Sequence, residues 1–405
     1  MDVPLQIFCV ALCGAWVLAF GYLMWALKRL PVLSRQLAHP PERWPRLSIV
    51  IPACNEAANL ESAVSTLKRQ DYPDLEIILV NDRSTDGTAE VIDRLAKAHS
   101  RVRAVHVTSL PAGWLGKVHA LQRGVEMARG EWLLFTDADI HFSEGALRRS
   151  IAVAIQQGAD HLTLIPRTVQ NGFWLEVAVR AFGLLYLLTT RAAAVNRPGS
   201  NAFVGIGAFN LVKAEMFRRT AGFEWLRLET GDDVGLGMMI KRAGGASRLA
   251  VAYEELSVRW YESVPAMFKG LEKNLFGPGS HYRWWLLLLQ VATIWTLVAA
   301  PLAAAVGAIM LGSALLLIAG AAAIGMHVFF AFCYYHESRA EIPSLLLFPA
   351  GILLISLMML RAGFQCLRNN GIDWRGTHYS LDELRAGQRI KFLKLPFTNG
   401  AGWRR

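Results

Sequence analysis

Trp132-Leu133-Leu134-Phe135-Thr136-Asp137-Ala138-Asp139 decides the fold. An apolar run of strand length, with Gly130 before it and Asp137 after it, reads as a short buried strand over Trp132–Thr136. Two carboxylates spaced i, i+2 follow it directly. Working upstream, Val102–Val107, Leu75–Val80 and the proline-ended run Leu47-Ser-Ile-Val-Ile-Pro52 are three more strands. The segments between them read as helices. Asn55-Glu56 opens one that runs to Arg69, Thr88–Ala98 is another with Thr85 or Asp86 as N-cap, and Lys117–Arg129 is a third, stopped by Gly130. Strands alternating with helices at this spacing predict an α/β fold, a mostly parallel, Rossmann-like sheet with helices on both faces.

Ligands bind such sheets at the carboxyl ends of the strands. Asn55-Glu56, Asn81-Asp82 and Asp137-Ala138-Asp139 all fall there. Carboxylates at several strand ends therefore converge on one edge. A pair spaced i, i+2 suits a hard divalent cation such as Mg²⁺ or Mn²⁺, which takes oxygen ligands and bridges carboxylates to substrate phosphates. An isolated Asp-x-Asp is more often a capped turn. Its place after a fourth strand, beside other acidic strand ends, favours the metal.

The ordered motifs Ile51-Pro-Ala-Cys-Asn-Glu56, Val80-Asn-Asp-Arg-Ser-Thr-Asp-Gly-Thr88, Gly116-Lys117 with Ala120, Asp137-Ala-Asp139 and Gly231-Asp-Asp-Val-Gly-Leu236 resemble those of the family 2 glycosyltransferases, over roughly residues 47–276. The short elements Gly113-Trp-Leu-Gly-Lys117 and Trp374-Arg-Gly-Thr-His-Tyr379 are similar to the subgroup holding ceramide glucosyltransferases and bacterial carotenoid-acid or hopanoid-associated enzymes. The resemblance implies the nucleotide-binding GT-A fold and a donor site. Pro52, Ala53, Glu56 and Asp82 would hold the nucleoside, and Lys117 would neutralise the diphosphate. Asp139 would be the principal metal ligand, with Asp137 near the ribose or sharing the ion. Asp232-Asp233 matches the family's acidic pair, whose second member is the base. An Asp233 base and direct attack would invert the anomeric centre. Asp232-Asp233 also reads as an acidic pair favouring a helix N-terminus.

Two departures bear on the product. Many processive relatives carry a Q/R-x-x-R-W element, whereas Leu256-Ser-Val-Arg-Trp260 and Ser280-His-Tyr-Arg-Trp284 both lack its first residue. Polymer synthesis is thereby disfavoured. Gly270-Leu-Glu-Lys-Asn274 either supplies phosphate or acceptor contacts through Lys273 or is an amphipathic surface helix. Asn201–Asn210, punctuated by Gly205 and Gly207, fits a backbone passing close to a sugar or a simple turn.

The flanks differ in kind from this domain. The chain has 405 residues, 53% of them hydrophobic yet 18% charged, and the apolar ones concentrate at the two ends. Leu5–Leu27 is an uncharged run long enough to span a bilayer, followed by Lys28, Arg29 and Arg35. Basic residues behind the run, and its length, indicate an anchor rather than a cleaved signal. They also place the next domain in the cytoplasm. Trp284–Tyr335 fits two crossings with a break near Gly312-Ser313, and Ile342–Leu360 is a third candidate. Three crossings would put the tail outside, yet Arg361, Arg368, Arg375, Arg385, Arg389, Lys391 and Lys394 favour the inside. A cytoplasmic tail is expected, so one apolar segment is re-entrant or interfacial, or the long block crosses three times. Phe173–Val195, interrupted by Glu176, Arg180 and Arg191, reads as a buried or interfacial helix.

The net charge of +10 accompanies no nucleic-acid-binding pattern and fits a membrane surface instead. Five cysteines without a CxxC suggest no disulfide framework and fit a reducing compartment. The organisation expected is a transmembrane anchor over 1–28, a cytoplasmic catalytic domain over 40–282, a C-terminal transmembrane region over 283–362 and a basic tail over 363–405. The expected protein lies in a bacterial cytoplasmic membrane. It transfers sugar from a nucleotide-diphosphate donor (a UDP-sugar), with Mg²⁺ or Mn²⁺, to a lipid or membrane-associated acceptor. The rivals are a polysaccharide-extending transferase, a catalytically silent binding protein with the same fold, and a nucleotidyltransferase.

Overall fold

The computed structural model describes residues 3–338 and 342–391; Lys394 lies outside them. Strands β1 (Leu47–Ala53), β2 (Leu75–Asp82), β3 (Val102–Val107) and β4 (Trp132–Phe135) pair in parallel in the order 3-2-1-4. Beyond β4 the sheet becomes mixed. β7 (Asn210–Lys213) runs antiparallel to β4 and to β6 (His161–Thr168), while β6 pairs in parallel with β8 (Ser247–Val258), which carries the short antiparallel β5 (His141–Phe142). The four-strand parallel half was legible because each strand is a short run rich in Val, Ile and Leu, with at most three polar residues in any of them. The other half is built over longer separations.

Alternation along the strands explains the two covered faces. Leu47, Ile49 and Ile51 of β1, with Ile77 and Leu79 of β2 and Leu134 of β4, pack beneath helices α2 (Leu60–Lys68), α3 (Thr88–Ala98) and α5 (Ala146–Gln156). Val50, Ile78, Val80, Leu133 and Phe135 point the other way, onto α4 (Gly116–Met127) and the later segments α7 (Ala214–Arg218), α8 (Gly222–Trp225) and α9 (Asp232–Arg242). The strand period of two delivers successive side chains to opposite cores.

Two local expectations are corrected. The helix expected from Asn55 begins only at Leu60, because Asn55 sits at φ 57° and its Oδ1 accepts from Thr85 N at 2.8 Å. The N-cap of α3 is Gly87 rather than Thr85 or Asp86, although Asp86 Oδ1 accepts from Thr88 N at 3.0 Å.

Four helices are long and apolar enough to cross a membrane: α1 (Val3–Arg29), α11 (Trp284–Leu311), α12 (Ala314–Ser338, its apolar span ending at Tyr335) and α14 (Phe348–Arg368). Gly312, in a left-handed conformation, ends α11 where the break was expected. Helices α1, α11 and α12 pack on one another. The stretch expected over Ile342–Leu360 is instead α13 (Ile342–Leu346) followed by α14. Helix α14 rests on α6 (Phe173–Thr189), whose Val177 and Ala181 lie against Gly351. It is also tied to α10 (Val264–Leu275) by Arg361 Nε donating to Glu272 Oε1 at 2.6 Å. After α14 the chain returns to the α/β domain as a hairpin, β9 (Gly371–Trp374) and β10 (Thr377–Ser380), and ends in α15 (Leu381–Gly387).

Helix α4 approaches the sheet closely at Gly124, where a Cβ would collide with Val50 Cγ1 and meet Val80 Cγ2 at 3.2 Å. Valine there overpacks a rigid site, at a cost of about 1–3 kcal/mol. Gly124→Val is expected to lower the thermal unfolding midpoint in detergent; an unchanged midpoint contradicts this packing.

Candidate active site

The carboxyl ends of β1, β2 and β4 open into one cavity of about 1740 Å³. Its lining includes Pro52, Ala53, Glu56, Asp82, Lys117, Asp137, Asp139, Asp232 and Asp233, every site residue expected from the sequence. They come from five segments. The register Pro52↔Val80 and Phe135↔Val50 sets the strand ends side by side, and the reversal of strand order between β1 and β4 leaves the crevice.

Lys117, in the first turn of α4, joins the acidic residues. Its Nζ lies 2.7 Å from Asp137 Oδ1 and 3.3 Å from Asp232 Oδ2. Burial works against its charge, but Asp137, Asp232 and Asp233 outweigh that and raise its pKa above the ordinary lysine value. Asp233 is held by backbone: Gly207 N donates to Oδ2 at 2.9 Å and Val234 N to Oδ1 at 2.8 Å. Burial, then the neighbouring Asp232, raise its carboxyl to about 6. Such a carboxylate is poised to take a proton near neutrality. Asp232 and Asp233 also begin α9, so the dipole reading of the pair holds beside the chemical one.

Asp139 is raised to about 7, first by burial and then by Asp137 and Glu56. Its charged form is therefore disfavoured until a cation arrives. Among the described residues no group of three or more His, Cys, Asp or Glu side chains forms a protein-only metal cage. Asp137 is paired with Lys117 and Asp139 with no cation among the described residues, and two such adjacent carboxylates fit a hard cation that takes its remaining ligands from phosphate and water. Asp137 and Asp139 would hold it.

Several residues at the site were not anticipated. Arg83, at φ 53°, donates to Asp82 Oδ1 at 2.8 Å. Tyr186 of α6 donates to Gly205 O at 2.7 Å. The glycines at 205 and 207 were noted, and the structure gives their reason: a Cβ on Gly205 would strike the Asp233 carbonyl, and one on Gly207 would strike Asp137 Oδ2. The tail hairpin also reaches the site. Arg375 donates to Cys54 O at 2.5 Å and to Glu56 Oε1 at 2.6 Å, and Gly116 N donates to the Tyr379 hydroxyl at 3.1 Å. Its Trp-Arg-Gly-Thr-His-Tyr sequence was visible, but its docking some 320 residues upstream was not.

Residues 48–220 match the family profile described as glycosyl transferase family 2. The chain carries a family 2 glycosyltransferase domain. Over 103 residues it is 34% identical to the GalNAc(5)-diNAcBac-PP-undecaprenol beta-1,3-glucosyltransferase of Campylobacter jejuni, covering 25% of this chain and 32% of that one. Over 181 residues it is 27% identical to glycosyltransferase GlyG of Streptococcus pneumoniae, covering 42% of this chain and 58% of that one. The chain thus spans between a third and three-fifths of the length of these relatives. The fold of the family 2 domain and its surroundings is similar to mannosyltransferase PcManGT of Pyrobaculum calidifontis, solved with GDP-Man and Mn²⁺. The TM-score is 0.53, with 21% identity over 88% of this chain and 99% of the other. That likeness bears out the expected α/β, GT-A-type fold.

If Gly207 provides the close approach that seats Asp137 and Asp233, Gly207→Ala is expected to weaken binding of a nucleoside diphosphate with Mn²⁺ by about tenfold or more, close to 1.4 kcal/mol. Calorimetry on protein with unchanged helical content checks it; unaltered affinity argues against that role.

Proposed function

We propose that the protein is an inverting glycosyltransferase that moves one sugar from a nucleoside-diphosphate sugar, read as a UDP-sugar, to a lipid hydroxyl or carboxyl at the membrane. The observation that carries this reading is the shape of the cavity. One end holds the acidic cluster of the family 2 domain. The other is walled by Val179, Phe182 and Leu185 of α6, Leu289 and Ile294 of α11, and Ile355 and Met359 of α14. A polar, anionic head and an apolar wall in one space suit a substrate with a hydroxyl and a hydrocarbon tail. The resemblance to the ceramide glucosyltransferase and hopanoid-associated subgroup points the same way.

In this reading Pro52, Ala53, Glu56 and Asp82 face the nucleoside, and Lys117 faces the diphosphate. Asp137 and Asp139 would hold a divalent cation, which would supply Lewis-acid stabilisation of the leaving diphosphate. Asp233 accepts the acceptor hydroxyl's proton as its oxygen bonds to the anomeric carbon and the carbon–diphosphate bond breaks. Attack from the face opposite the leaving group inverts the centre. The missing first residue of Q/R-x-x-R-W supports single transfer over polymer extension.

The docking of the tail supports our reading of the membrane arrangement. Arg375 and Tyr379 bond to the α/β domain, so domain and tail share one side, and an even number of crossings separates them. We assign the crossings to α1, α11 and α12, with α14 lying in the membrane plane beside α6. Helix α14 exposes Leu353, Leu357, Phe364 and Leu367 as one stripe while its other face packs inward. The basic residues after α1 place the shared side in the cytoplasm.

Asp233→Asn is expected to lower kcat by about 10²–10⁴-fold with donor KM nearly unchanged. Because its pKa is raised, the base form is present above about pH 6. Wild-type kcat is therefore expected to fall as pH drops through that value. Unchanged turnover in Asp233→Asn overturns Asp233 as the base, whereas wild-type protein that binds the donor without turning it over favours a silent binding protein. In a cysteine-free background, Leu311→Cys is expected to react with an impermeant maleimide from outside intact cells, and Asp382→Cys only after permeabilisation. Labelling of both from outside contradicts the three-crossing arrangement.

A further inference from the structure

Lys273 projects from the last turn of α10 into the same cavity. Its Nζ lies 4.2 Å from the centroid of the Trp374 ring and 3.3 Å from Asn274 Oδ1. Among the described residues no carboxylate lies within ion-pair distance of it. Its neighbours at the donor end differ: Arg83 is paired with Asp82, Arg375 with Glu56, and Lys117 with Asp137 and Asp232. Burial and the adjacent charge of Lys117 lower Lys273 to about 8, against the pull of Asp232, Asp233 and Asp137. Two ammonium groups close enough to perturb one another repel unless an anion joins them.

Trp374 is firmly placed. Its hairpin turns through Arg375 at φ 50° and Gly376 at φ 77°, the paired left-handed conformations of a tight two-residue turn. Arg375 fastens the tip to Cys54 and Glu56. Beyond the turn, Thr377 Oγ1 accepts from Arg83 Nη1 at 3.1 Å, and the Tyr379 hydroxyl accepts from Gly116 N. The hairpin thus grips the ends of β1 and β2 and the start of α4, the three segments that border the donor end. An aromatic face stabilises an ammonium without adding net negative charge. A carboxylate in the same place would neutralise Lys273 and repel an incoming phosphate.

We propose that this C-terminal hairpin is a working part of the donor site: Trp374 is a positioning residue that holds Lys273, through its ring face, where the ammonium meets the donor's diphosphate. The inference rests on the donor reading above and adds the tail to it. Lys117 and Lys273 then flank the diphosphate from two helices, and the anion relieves their repulsion. The tail's element Trp374-Arg-Gly-Thr-His-Tyr379 acquires a role that its sequence alone did not disclose.

The test is calorimetric binding of UDP, UMP and their guanosine counterparts to the full chain in lipid nanodiscs with Mn²⁺. Trp374→Leu is expected to weaken nucleoside diphosphate binding by about tenfold and the monophosphate by less than about threefold, while Trp374→Phe keeps most of the affinity. Lys273→Gln is expected to show the same selective loss, and Trp374→Leu combined with Lys273→Gln to be no weaker than Lys273→Gln alone. Additive losses overturn the proposal. So do equal losses for mono- and diphosphate, a Trp374→Phe variant as weak as Trp374→Leu, or a Trp374→Leu variant that binds like wild type; in that last case the donor reading stands. Wild-type protein that binds neither nucleoside diphosphate overturns the donor reading and this proposal with it.

Discussion

The contact of Lys117 with Asp137 and Asp232 is the constraint on which the rest of the site depends. Three chain segments bring those charges together, and none is neutral without the others. Taking three or more carboxylates into one half-buried cleft is costly unless cations share the space. The lysine offsets part of that cost, and burial with neighbouring carboxylates raises Asp139 and Asp233 above the ordinary carboxyl range. Glycines at 205 and 207 let the backbone pass between these groups; side chains there would push Asp137 and Asp233 apart.

The fold serves this convergence from two directions. The parallel half of the sheet delivers Glu56, Asp82 and Asp137 to one edge. The antiparallel β7 brings the Gly205–Gly207 turn alongside, and α9 starts with the acidic pair at the same level. Helices α6, α10, α11 and α14 then extend the cleft into an apolar space. The hairpin after α14 lines the same cavity. The α/β domain, the long apolar helices α11 and α14 and the hairpin therefore line one cavity.

How much of this was legible varied with the range of the interaction. The strand read as Leu47–Pro52 runs to Ala53 and the one read as Val102–Val107 has those bounds; runs rich in Val, Ile and Leu, and the carboxylates at the ends of β1, β2 and β4, are local features. Asn55 and Arg83 adopt left-handed backbone conformations, which displaced the start of α2 and paired Asp82 with an arginine; no periodicity encodes either. Phe173–Val195 was rightly read as something other than a free crossing, though its helix stops at Thr189, where Arg191 turns left-handed. The parity of the crossings was unreadable from hydropathy, since α14 is as long as a spanning helix. The docking of Arg375 and Tyr379, more than 260 residues from their partners, is what supports the arrangement proposed above.

The central claim is that Asp137 and Asp139 gather a divalent cation that grips the diphosphate. The most direct measurement is nucleoside diphosphate affinity of wild type and Asp139→Asn, each with Mn²⁺ and with excess chelator. The account predicts tight binding only for wild type with the ion, falling by about two orders of magnitude on chelation or substitution, some 2.7 kcal/mol. Affinity indifferent to both the ion and Asp139 would contradict it.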